Sequence, residues 1–217
     1  MRRFSFIYLL LILLLPAHKG ISQVDSLRFK IEQIAQSAKG TVGVAMLCLE
    51  DNDTLTCNGK THLPMQSVFK LPIALAVLNK VDSAKLSLTH TIHFSKEDMN
   101  PDTWSPLREK YPKGNVDISI RELLNYMVSQ SDNIACDALI RTLGGPQEVE
   151  NYLLSIHAKG IAIVATEADM HKAWDIQYKN WCEAGEMAHL LVNFFNGSYL
   201  SASSTALLMN MMTENTI

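Results

Sequence analysis

The chain has 217 residues, of which 47% are hydrophobic and 19% are charged, and its formal net charge at pH 7 is −3. This length and apolar content are sufficient for one globular domain, or a close pair of subdomains, with a buried core. The near-neutral charge gives no electrostatic reason to expect a nucleic acid or an anionic membrane as a partner.

The first residues have the pattern of a secretory signal peptide. Arg2 and Arg3 precede an unbroken apolar run from residue 6 to residue 15, which Pro16 ends. The run is too short to span a bilayer comfortably. We therefore predict a signal peptide over residues 1–22, export to the periplasm or the exterior, and no membrane attachment after cleavage. An uncleaved membrane anchor is the alternative.

The next segments predict a helix followed by a β-hairpin. Residues 24–39 carry apolar side chains at helical spacing, and Gly40 can end that helix. Residues 41–50 and 54–57 are rich in β-forming side chains and flank a polar turn at 51–53.

The four cysteines, Cys48, Cys57, Cys136 and Cys182, have neither CxxC nor zinc-finger spacing, so no metal site is predicted from them. If Asn52 and Asp53 form a two-residue turn, Cys48 and Cys57 face each other across the hairpin. They are then either a cross-strand disulfide or two small buried apolar residues.

Ser67 and Lys70 lead into an apolar run, which predicts a buried helix from Ser67 to about Val81. At this spacing the two side chains share one helix face. A serine hydroxyl becomes a good nucleophile when a base takes its proton, and a lysine among apolar neighbours can serve as that base because its charged form is disfavoured. The helix N-terminus also favours negative charge on the serine oxygen. The alternative is a serine N-cap beside a solvent-facing lysine.

The remainder of the chain is predicted to be largely helical, with no strand pattern beyond the hairpin. The polar, proline-containing segment 87–111 is predicted to be mostly loop, and residues 165–181 form a long aperiodic loop of the kind that is often functional. Helices are predicted after the capping box that begins at Ser119, after Ser131-Asp132-Asn133, from Pro146, over about 184–195 and over about 203–212.

Two motifs at loop–helix junctions carry a family resemblance. Ser67-Val68-Phe69-Lys70 and Ser131-Asp132-Asn133 resemble the S-x-x-K and S-D-N motifs of class A β-lactamases and penicillin-binding proteins. The aperiodic loop, beginning Thr166-Glu167-Ala168-Asp169-Met170-His171, resembles the class A omega loop and is most similar to the extended-spectrum, PER- and CfxA-like branch. The resemblance covers the chain from about Val24 and implies an α+β fold of the β-lactamase/transpeptidase type, with an all-helical subdomain and an antiparallel sheet subdomain.

The resemblance implies a role for each catalytic residue. Ser67 would be the acylated nucleophile, with its backbone N–H in the oxyanion hole, and Lys70 its proton relay or base. Ser131 would protonate the departing β-lactam nitrogen, and Asn133 would bind the substrate side chain. Glu167 would activate the deacylating water, although whether it or Lys70 serves acylation is disputed for the family. The alternative for Glu167 is a solvated loop carboxylate.

Two further residues have paired interpretations. Trp104 would line the entrance to the site, or would be a loop tryptophan that covers a small satellite core. His171 would help to hold the water, or would be a structural loop histidine. The resemblance also implies a small-molecule β-lactam substrate, no cofactor or metal, and a monomer.

The sequence departs from the family pattern in two places. Ala168 and His171 stand where most members have proline and asparagine, and Ala165 replaces an arginine, so the usual salt bridge of the loop is absent and its geometry is in doubt. No Lys-Thr-Gly motif occurs, and no Lys or Arg follows Lys179. We therefore expect residues 23–217 to be a partial domain without its C-terminal strands and helix, and we expect the chain alone to be inactive or poorly folded.

The predicted function is hydrolysis of penicillins or cephalosporins through a serine acyl-enzyme that Glu167-activated water releases. A penicillin-binding D,D-peptidase shares both short motifs, but Glu167 argues against it. A non-catalytic domain that binds peptidoglycan or a partner on the same scaffold is the other alternative. A metal hydrolase is disfavoured because His90 and His93 have no third ligand at useful spacing.

Overall fold

The computed structural model describes residues 23–50, 53–99 and 102–214, so the predicted signal peptide and most of the predicted hairpin turn lie outside the described residues. The chain divides into two units, residues 1–41 and residues 42–217. In the first unit, helix α1 (Gln23–Ser37) forms where the apolar spacing predicts it.

The predicted hairpin is confirmed, but its register is not the predicted one. Strands β1 (Val44–Leu47) and β2 (Thr54–Cys57) are antiparallel, and Cys57 pairs with Val44. Cys48 lies at the other end of the hairpin, where its amide donates to the carbonyl of Asp53. The two cysteines therefore do not face each other, and both are only partly buried, so neither predicted alternative is correct.

The prediction that the chain has no strand beyond the hairpin is wrong. In the part of the chain that the structure describes, five more short strands form two further antiparallel sheets, one of order β3-β7-β6 and one that pairs β4 with β5. These strands have two to four residues each, which is too short for a period-two pattern to be recognised. They are β3 (Leu63–Pro64), β4 (Thr91–Phe94), β5 (Val116–Ser119), β6 (Ile161–Ala162) and β7 (Trp181–Cys182).

The helices follow the prediction closely, except near Ser67 and within residues 87–111. Ser67 lies in a 3-10 turn over Gln66–Phe69, and the α-helix begins only at Lys70. Segment 87–111 contains β4 and a short helix rather than mostly loop. The helices are α2 (Lys70–Asp82), α3 (Pro106–Lys110), α4 (Ile120–Ser129), α5 (Asn133–Leu143), α6 (Pro146–Ser155), α7 (Glu167–Met170), α8 (Ala184–Phe195) and α9 (Ala202–Thr213).

Helix α2 is the centre of the core. Ile73, Leu75 and Leu78 are fully buried, and α4, α5, α6 and α9 all pack against this helix. A helix that is apolar all round must be buried on every side. The first turn of α2, which carries Lys70, is therefore held in a fixed position by the core.

Capping residues determine where the helices that flank the site begin and end. Ser119 accepts a hydrogen bond from the amide of Glu122 at the start of α4, which is one half of the predicted capping box. Gly144 ends α5 with a φ of 106°, in the left-handed region that favours glycine, and Pro146 then occupies the first turn of α6.

The described residues form helices and small antiparallel sheets. This confirms the predicted α+β fold class. Within residues 23–50, 53–99 and 102–214, no helix is both long enough and apolar enough to cross a bilayer.

Candidate active site

Ser67 is presented by the 3-10 turn that precedes α2. The residue before it, Gln66, has a φ of 46°, so the chain turns sharply into this element. The amide of Met65 donates to the carbonyl of Asn180 over 3.1 Å, next to the pairing of β3 with β7. The end of the aperiodic loop is therefore fastened to the segment that carries Ser67. Ser67 does not cap α2, so the N-cap alternative is wrong.

Lys70 is buried, with 3% of its surface exposed, and does not face solvent. Its Nζ lies 2.6 Å from Asn133 Oδ1, 2.7 Å from the Ser131 carbonyl oxygen and 2.9 Å from Glu167 Oε1. Ser131 Oγ (3.1 Å) and Ser67 Oγ (3.3 Å) are also within reach, so five oxygens share the three protons of an ammonium group at this position. The amine is thus surrounded by oxygen atoms, and not by the apolar neighbours that the sequence argument assumed.

The hydroxyl of Ser67 lies between two groups that can exchange protons with it. Lys70 Nζ is 3.3 Å from Ser67 Oγ, and Ser131 Oγ donates to Ser67 Oγ over 2.9 Å. Lys70 also donates to Ser131 Oγ over 3.1 Å, which closes a triangle of hydrogen bonds. The backbone of Ser131 has a φ of 53°, in the left-handed region that non-glycine residues adopt in only a few per cent of cases.

Asp132 holds Ser131 in this position. It is fully buried, and its carboxylate accepts hydrogen bonds from Ser105 Oγ (2.8 Å), the Leu107 amide (2.7 Å) and the Ala135 amide (2.8 Å). One oxygen caps α5 while the other fixes the start of α3. The Ser131-Asp132-Asn133 motif therefore contains a structural carboxylate between its two polar site residues.

Glu167 is the first residue of α7, and its side chain is only 12% exposed. Its contact with Lys70 shows that the alternative of a solvated loop carboxylate is wrong. The carboxylate of Asp137 on α5 accepts the amides of Glu167 and Ala168 over 2.8 and 2.9 Å. Burial raises the pKa of Asp137 above its ordinary value, although these two amides act in the opposite direction.

The aperiodic loop is held without the salt bridge that Ala165 removes. Asn180 is fully buried; its Oδ1 accepts the amides of Val164 and Ala165, and its Nδ2 donates to the Ala165 carbonyl, each over 2.9 Å. Thr166 and Asp169 form a capping box around the start of α7. A hydrogen bond from Lys172 is the largest of the effects that lower the pKa of Asp169 to about 2.

Asn133 links Lys70 to the loop that precedes α3. Its Oδ1 accepts from Lys70, and its Nδ2 donates to Thr103 Oγ1 over 2.7 Å. Thr103 Oγ1 is in turn 3.2 Å from His171 Nε2. His171 therefore takes part in a hydrogen-bonded chain that reaches the amine, and its predicted role with water stays a prediction.

Trp104 projects outward beside this chain. Its side chain is 53% exposed, and the indole N–H donates to the carbonyl of Gln130 over 2.8 Å. The other half of the residue is covered, so its role over a small satellite core stays a prediction. Its role at the entrance to the site also stays a prediction.

Two cavities adjoin the cluster. The first, which we call the serine cavity, has a volume of about 410 Å³ and is lined by Ser67, Lys70 and Ser131 together with apolar side chains such as Met127, Met187 and Leu191. The second, the glutamate cavity, has a volume of about 390 Å³ and is lined mainly by polar and charged side chains, among them Glu167, Asn133, Thr103, His171, Asp98 and Arg141.

Sequence reasoning brought together Ser67, Lys70, Ser131, Asn133 and Glu167, but it missed Asp137 and Asn180, which position Glu167. A signal for Asp137 was present, because it lies four residues after Asn133, among apolar residues from Ile134 to Ile140, and so shares its helix face. Asn180 has no comparable local signal, since its partners are 15 and 16 residues away.

Comparisons with known proteins agree with this geometry. The model of the family described as the beta-lactamase enzyme family matches residues 26–217. The β-lactamase VEB-1 of Pseudomonas aeruginosa is 41% identical over 197 residues, which is 90% of this chain and 66% of that protein. The extended-spectrum β-lactamase PER-1 of the same organism is 39% identical over 195 residues, which is 90% of this chain and 63% of that protein.

The crystal structure of a β-lactamase from Chitinophaga pinensis is also similar. It superimposes with a TM-score of 0.85 at 48% sequence identity, covering 88% of this chain and 70% of that one. The chain thus spans somewhat less than two thirds of the length of the two curated relatives above.

Proposed function

Because this protein belongs to the beta-lactamase enzyme family, we propose that it hydrolyses β-lactams through an acyl-enzyme on Ser67. One observation carries the proposal: a single buried amine, that of Lys70, contacts Ser67, Ser131, Asn133 and Glu167. Such a cluster joins a nucleophile, a proton donor and a second base within hydrogen-bonding distance. The resemblance to class A enzymes rests on the same residues.

The acylation half of the reaction uses Ser67, Lys70 and Ser131. Ser67 Oγ gives up its proton and attacks the lactam carbonyl carbon, the C–N bond breaks, and Ser131 protonates the nitrogen. Lys70, whose Nζ lies 3.3 Å from Ser67 Oγ, takes the proton of Ser67 as its base or relay. Lys70 then restores the proton of Ser131 across their 3.1 Å contact.

The deacylation half uses Glu167. A serine acyl-enzyme hydrolyses slowly unless a base activates a water against it. Glu167, beside the amine and shielded from bulk solvent, is that base in the proposal. Its contact with Lys70 favours a hydrolase over a D,D-peptidase that the antibiotic would trap.

We also propose that the protein is exported and acts as a monomer. The support for export is the basic and apolar run at residues 2–15, which resembles a signal peptide. Export is tested by recovering the protein from a periplasmic fraction and identifying its first residue by mass spectrometry. A mature chain beginning near residue 23 is expected, and a chain that retains residues 1–22 in the membrane fraction contradicts it.

The sequence alone led us to expect an inactive or poorly folded chain; because the cluster around Lys70 is formed in the structure, we propose instead a low but measurable rate for these 217 residues. They contain no Lys-Thr-Gly motif, so the substrate carboxylate lacks the partner that the family resemblance assigns to that motif. Binding energy that would orient the lactam is then missing, and turnover falls below ordinary enzyme rates. Turnover of a penicillin at ordinary rates by this chain contradicts the expectation.

The test is a product assay at high protein concentration over hours, in which mass spectrometry follows the conversion of a penicillin to its hydrolysed form. We expect slow product formation above the buffer background and none above it for Ser67→Ala. Ser83→Ala is the matched control, because Ser83 is exposed and lies at the far end of α2. Equal product formation by Ser67→Ala and the parent, or none by the parent, contradicts the proposed function.

A further inference from the structure

The turn that carries Ser67 crosses the surface between two buried residues. Met65 and Phe69 have 2% and 0% of their surfaces exposed, whereas the three residues between them are exposed. The core thus fixes where the turn lies in the fold, while the backbone conformation of its exposed middle depends on further contacts.

Gln66 has an unfavourable backbone conformation within this turn. Its φ of 46° lies in the left-handed region, which residues other than glycine adopt in only a few per cent of cases. For such a residue the left-handed conformation is less populated than the right-handed one by a factor of about 5–30. Ser67 is the next residue, so a change in this backbone angle moves both its hydroxyl and its amide. The turn therefore needs a contact that stabilises the left-handed form.

Two hydrogen bonds to the end of the aperiodic loop hold the turn. Gln66 Nε2 donates to Gln177 Oε1 over 2.7 Å, and the Met65 amide donates to the Asn180 carbonyl over 3.1 Å. Gln177 Nε2 donates in turn to the Trp174 carbonyl over 2.8 Å, which orients the amide so that its Oε1 faces Gln66. We call the side-chain pair of Gln66 and Gln177 the glutamine latch. It holds the left-handed residue itself, and the backbone bond holds the residue before it.

We propose that Gln177 is a positioning residue for the nucleophile, because its bond to Gln66 maintains the backbone turn that presents Ser67. This inference rests on the proposed function. Gln177 lies in the same loop as Glu167, so its place in the chain would assign it to the base. The glutamine latch assigns it instead to the formation of the acyl-enzyme. Glu167 has a separate support, since the carboxylate of Asp137 accepts its amide.

The latch should affect the gain of the Ser67 adduct more than its loss. Before acylation, Ser67 Oγ must lie within reach of both Lys70 and the lactam carbonyl, and a turn that samples other conformations lowers the fraction of competent molecules. After acylation, the new bond itself ties Ser67 to the acyl carbonyl, and the attack of water depends on Glu167. One hydrogen bond changes an equilibrium by about two- to tenfold, so removing the latch should slow the gain by about fivefold.

Three variants separate the latch from a general disturbance. Gln177→Met keeps the length of the side chain and removes the acceptor. Gln66→Ala removes the donor and retains the unfavourable backbone conformation, whereas Gln66→Gly removes the same donor but adopts a positive φ without that cost. Gln147→Met is the matched control, because Gln147 is exposed and its side chain donates to Asn151 one turn along α6.

The experiment follows intact mass after each variant is mixed with a saturating concentration of a penicillin, because the gain and the loss of the adduct are separate rates. We expect Gln177→Met and Gln66→Ala to gain the adduct about fivefold more slowly than the parent, with its loss within about twofold. Gln66→Gly should gain it at least about threefold faster than Gln66→Ala, and Gln147→Met should match the parent.

Three results would overturn the inference. The first is gain at the parental rate in Gln177→Met. The second is equal gain by Gln66→Ala and Gln66→Gly, since the backbone conformation would then not be what the latch maintains. The third is equal slowing of gain and loss, since a general disturbance of the site affects both.

A second readout needs no β-lactam and separates this inference from the proposed function. Hydrogen–deuterium exchange of a peptide spanning residues 63–69 reports the amides of Met65 and Val68, which donate to carbonyl oxygens 3.1 and 3.0 Å away. We expect Gln177→Met to raise exchange in this peptide several-fold, and Gln147→Met to leave it at the parental level. If the parent forms no adduct, the proposed function fails, and unchanged exchange in Gln177→Met then overturns the latch on its own.

Discussion

The two halves of the site are built by different means. Ser67 lies in the 3-10 turn that leads into α2 and Lys70 is the first residue of α2, so the packing of this largely buried helix fixes their positions. Glu167 lies in a four-residue helix within an aperiodic loop, and that loop is held by backbone amides that donate to the side-chain oxygens of Asp137 and Asn180. The nucleophile side therefore depends on the core, whereas the base side depends on a few polar contacts. The two halves of the reaction should respond differently to substitution.

The largest effect is expected from a substitution that removes the base, Glu167, and leaves the nucleophile, Ser67, in place. Glu167→Gln keeps the shape of the side chain but cannot take a proton from water, so the loss of the Ser67 adduct should slow by about 10²–10⁴-fold. Rapid mixing followed by intact mass measures this rate. Glu148→Gln is the control, because Glu148 contacts only the side chains of Lys80 and Asn151 among the hydrogen bonds and ion pairs of the described residues and lies outside the cluster around Lys70. Adduct loss at the parental rate in Glu167→Gln contradicts the role of this residue.

A substitution on the nucleophile side should mainly lower the free energy of unfolding. Asp132→Ala removes a buried carboxylate that accepts three hydrogen bonds, so the free energy of unfolding should fall by about 3 kcal/mol. Urea denaturation measures the change. Asp117→Ala, at an exposed pair with His93, should stay within about 0.5 kcal/mol of the parent. If the free energy of unfolding falls by the same amount in both variants, the hydrogen bonds of buried Asp132 do not stabilise the fold more than an exposed pair does.

A change on the base side should separate the two rates. Asn180→Ala removes the side-chain partner of the Val164 and Ala165 amides and of the Ala165 carbonyl. We therefore expect the free energy of unfolding to fall by about 2 kcal/mol. Because the loop carries Glu167 and not Ser67, adduct loss should slow more than adduct gain. Asn210→Ala, at an exposed position on α9, is the control. Equal changes in gain and loss would break the distinction between the two sides.

The smallest effect concerns the pH dependence of loop stability. The pKa of Asp169 is lowered from 3.8 to about 2, first through the hydrogen bond from Lys172, so the folded state favours the ionised form. The resulting stabilisation is fully present above pH 3.8 and is lost as the pH falls through 2. Lys172→Ala should lower the free energy of unfolding by less than about 1 kcal/mol at pH 6, since both side chains are partly exposed.

The difference in the free energy of unfolding between Lys172→Ala and the parent should become small at about pH 2, where Asp169 is largely protonated in the unfolded chain and begins to be protonated in the folded one. Urea denaturation at pH 6 and at about pH 2 compares the two proteins under each condition. A difference that is larger at the lower pH contradicts the assigned direction of the Asp169 shift.

The sequence was informative where the determinants are local. Helical periodicity located α8 within its observed bounds, and the cap residues Ser119 and Pro146 located the starts of α4 and α6. The Ser67 and Ser131 motifs brought their residues together because each motif stands directly at a helix start. In these segments a pattern spanning one or two turns is enough.

The sequence was uninformative where a partner is distant or an element is short. The two-residue strands β3, β6 and β7 contain less than one full alternation, and the pairing of β3 with β7 joins Leu63 to Cys182, 119 positions away. The register of Cys57 with Val44 depends on the length of the hairpin turn. The contacts that Asp137 and Asn180 make with the loop depend on tertiary packing, so a single sequence gave no direct sign of what replaces the missing salt bridge.

The most direct test of the proposed chemistry is a time course of intact mass on the parent protein with a penicillin in excess. We expect a single adduct with the mass of the intact antibiotic, located on Ser67, that appears and then decays to the unmodified protein. An adduct that never forms contradicts the role of Ser67. An adduct that forms and persists contradicts the role of Glu167 and favours a penicillin-binding protein on the same scaffold.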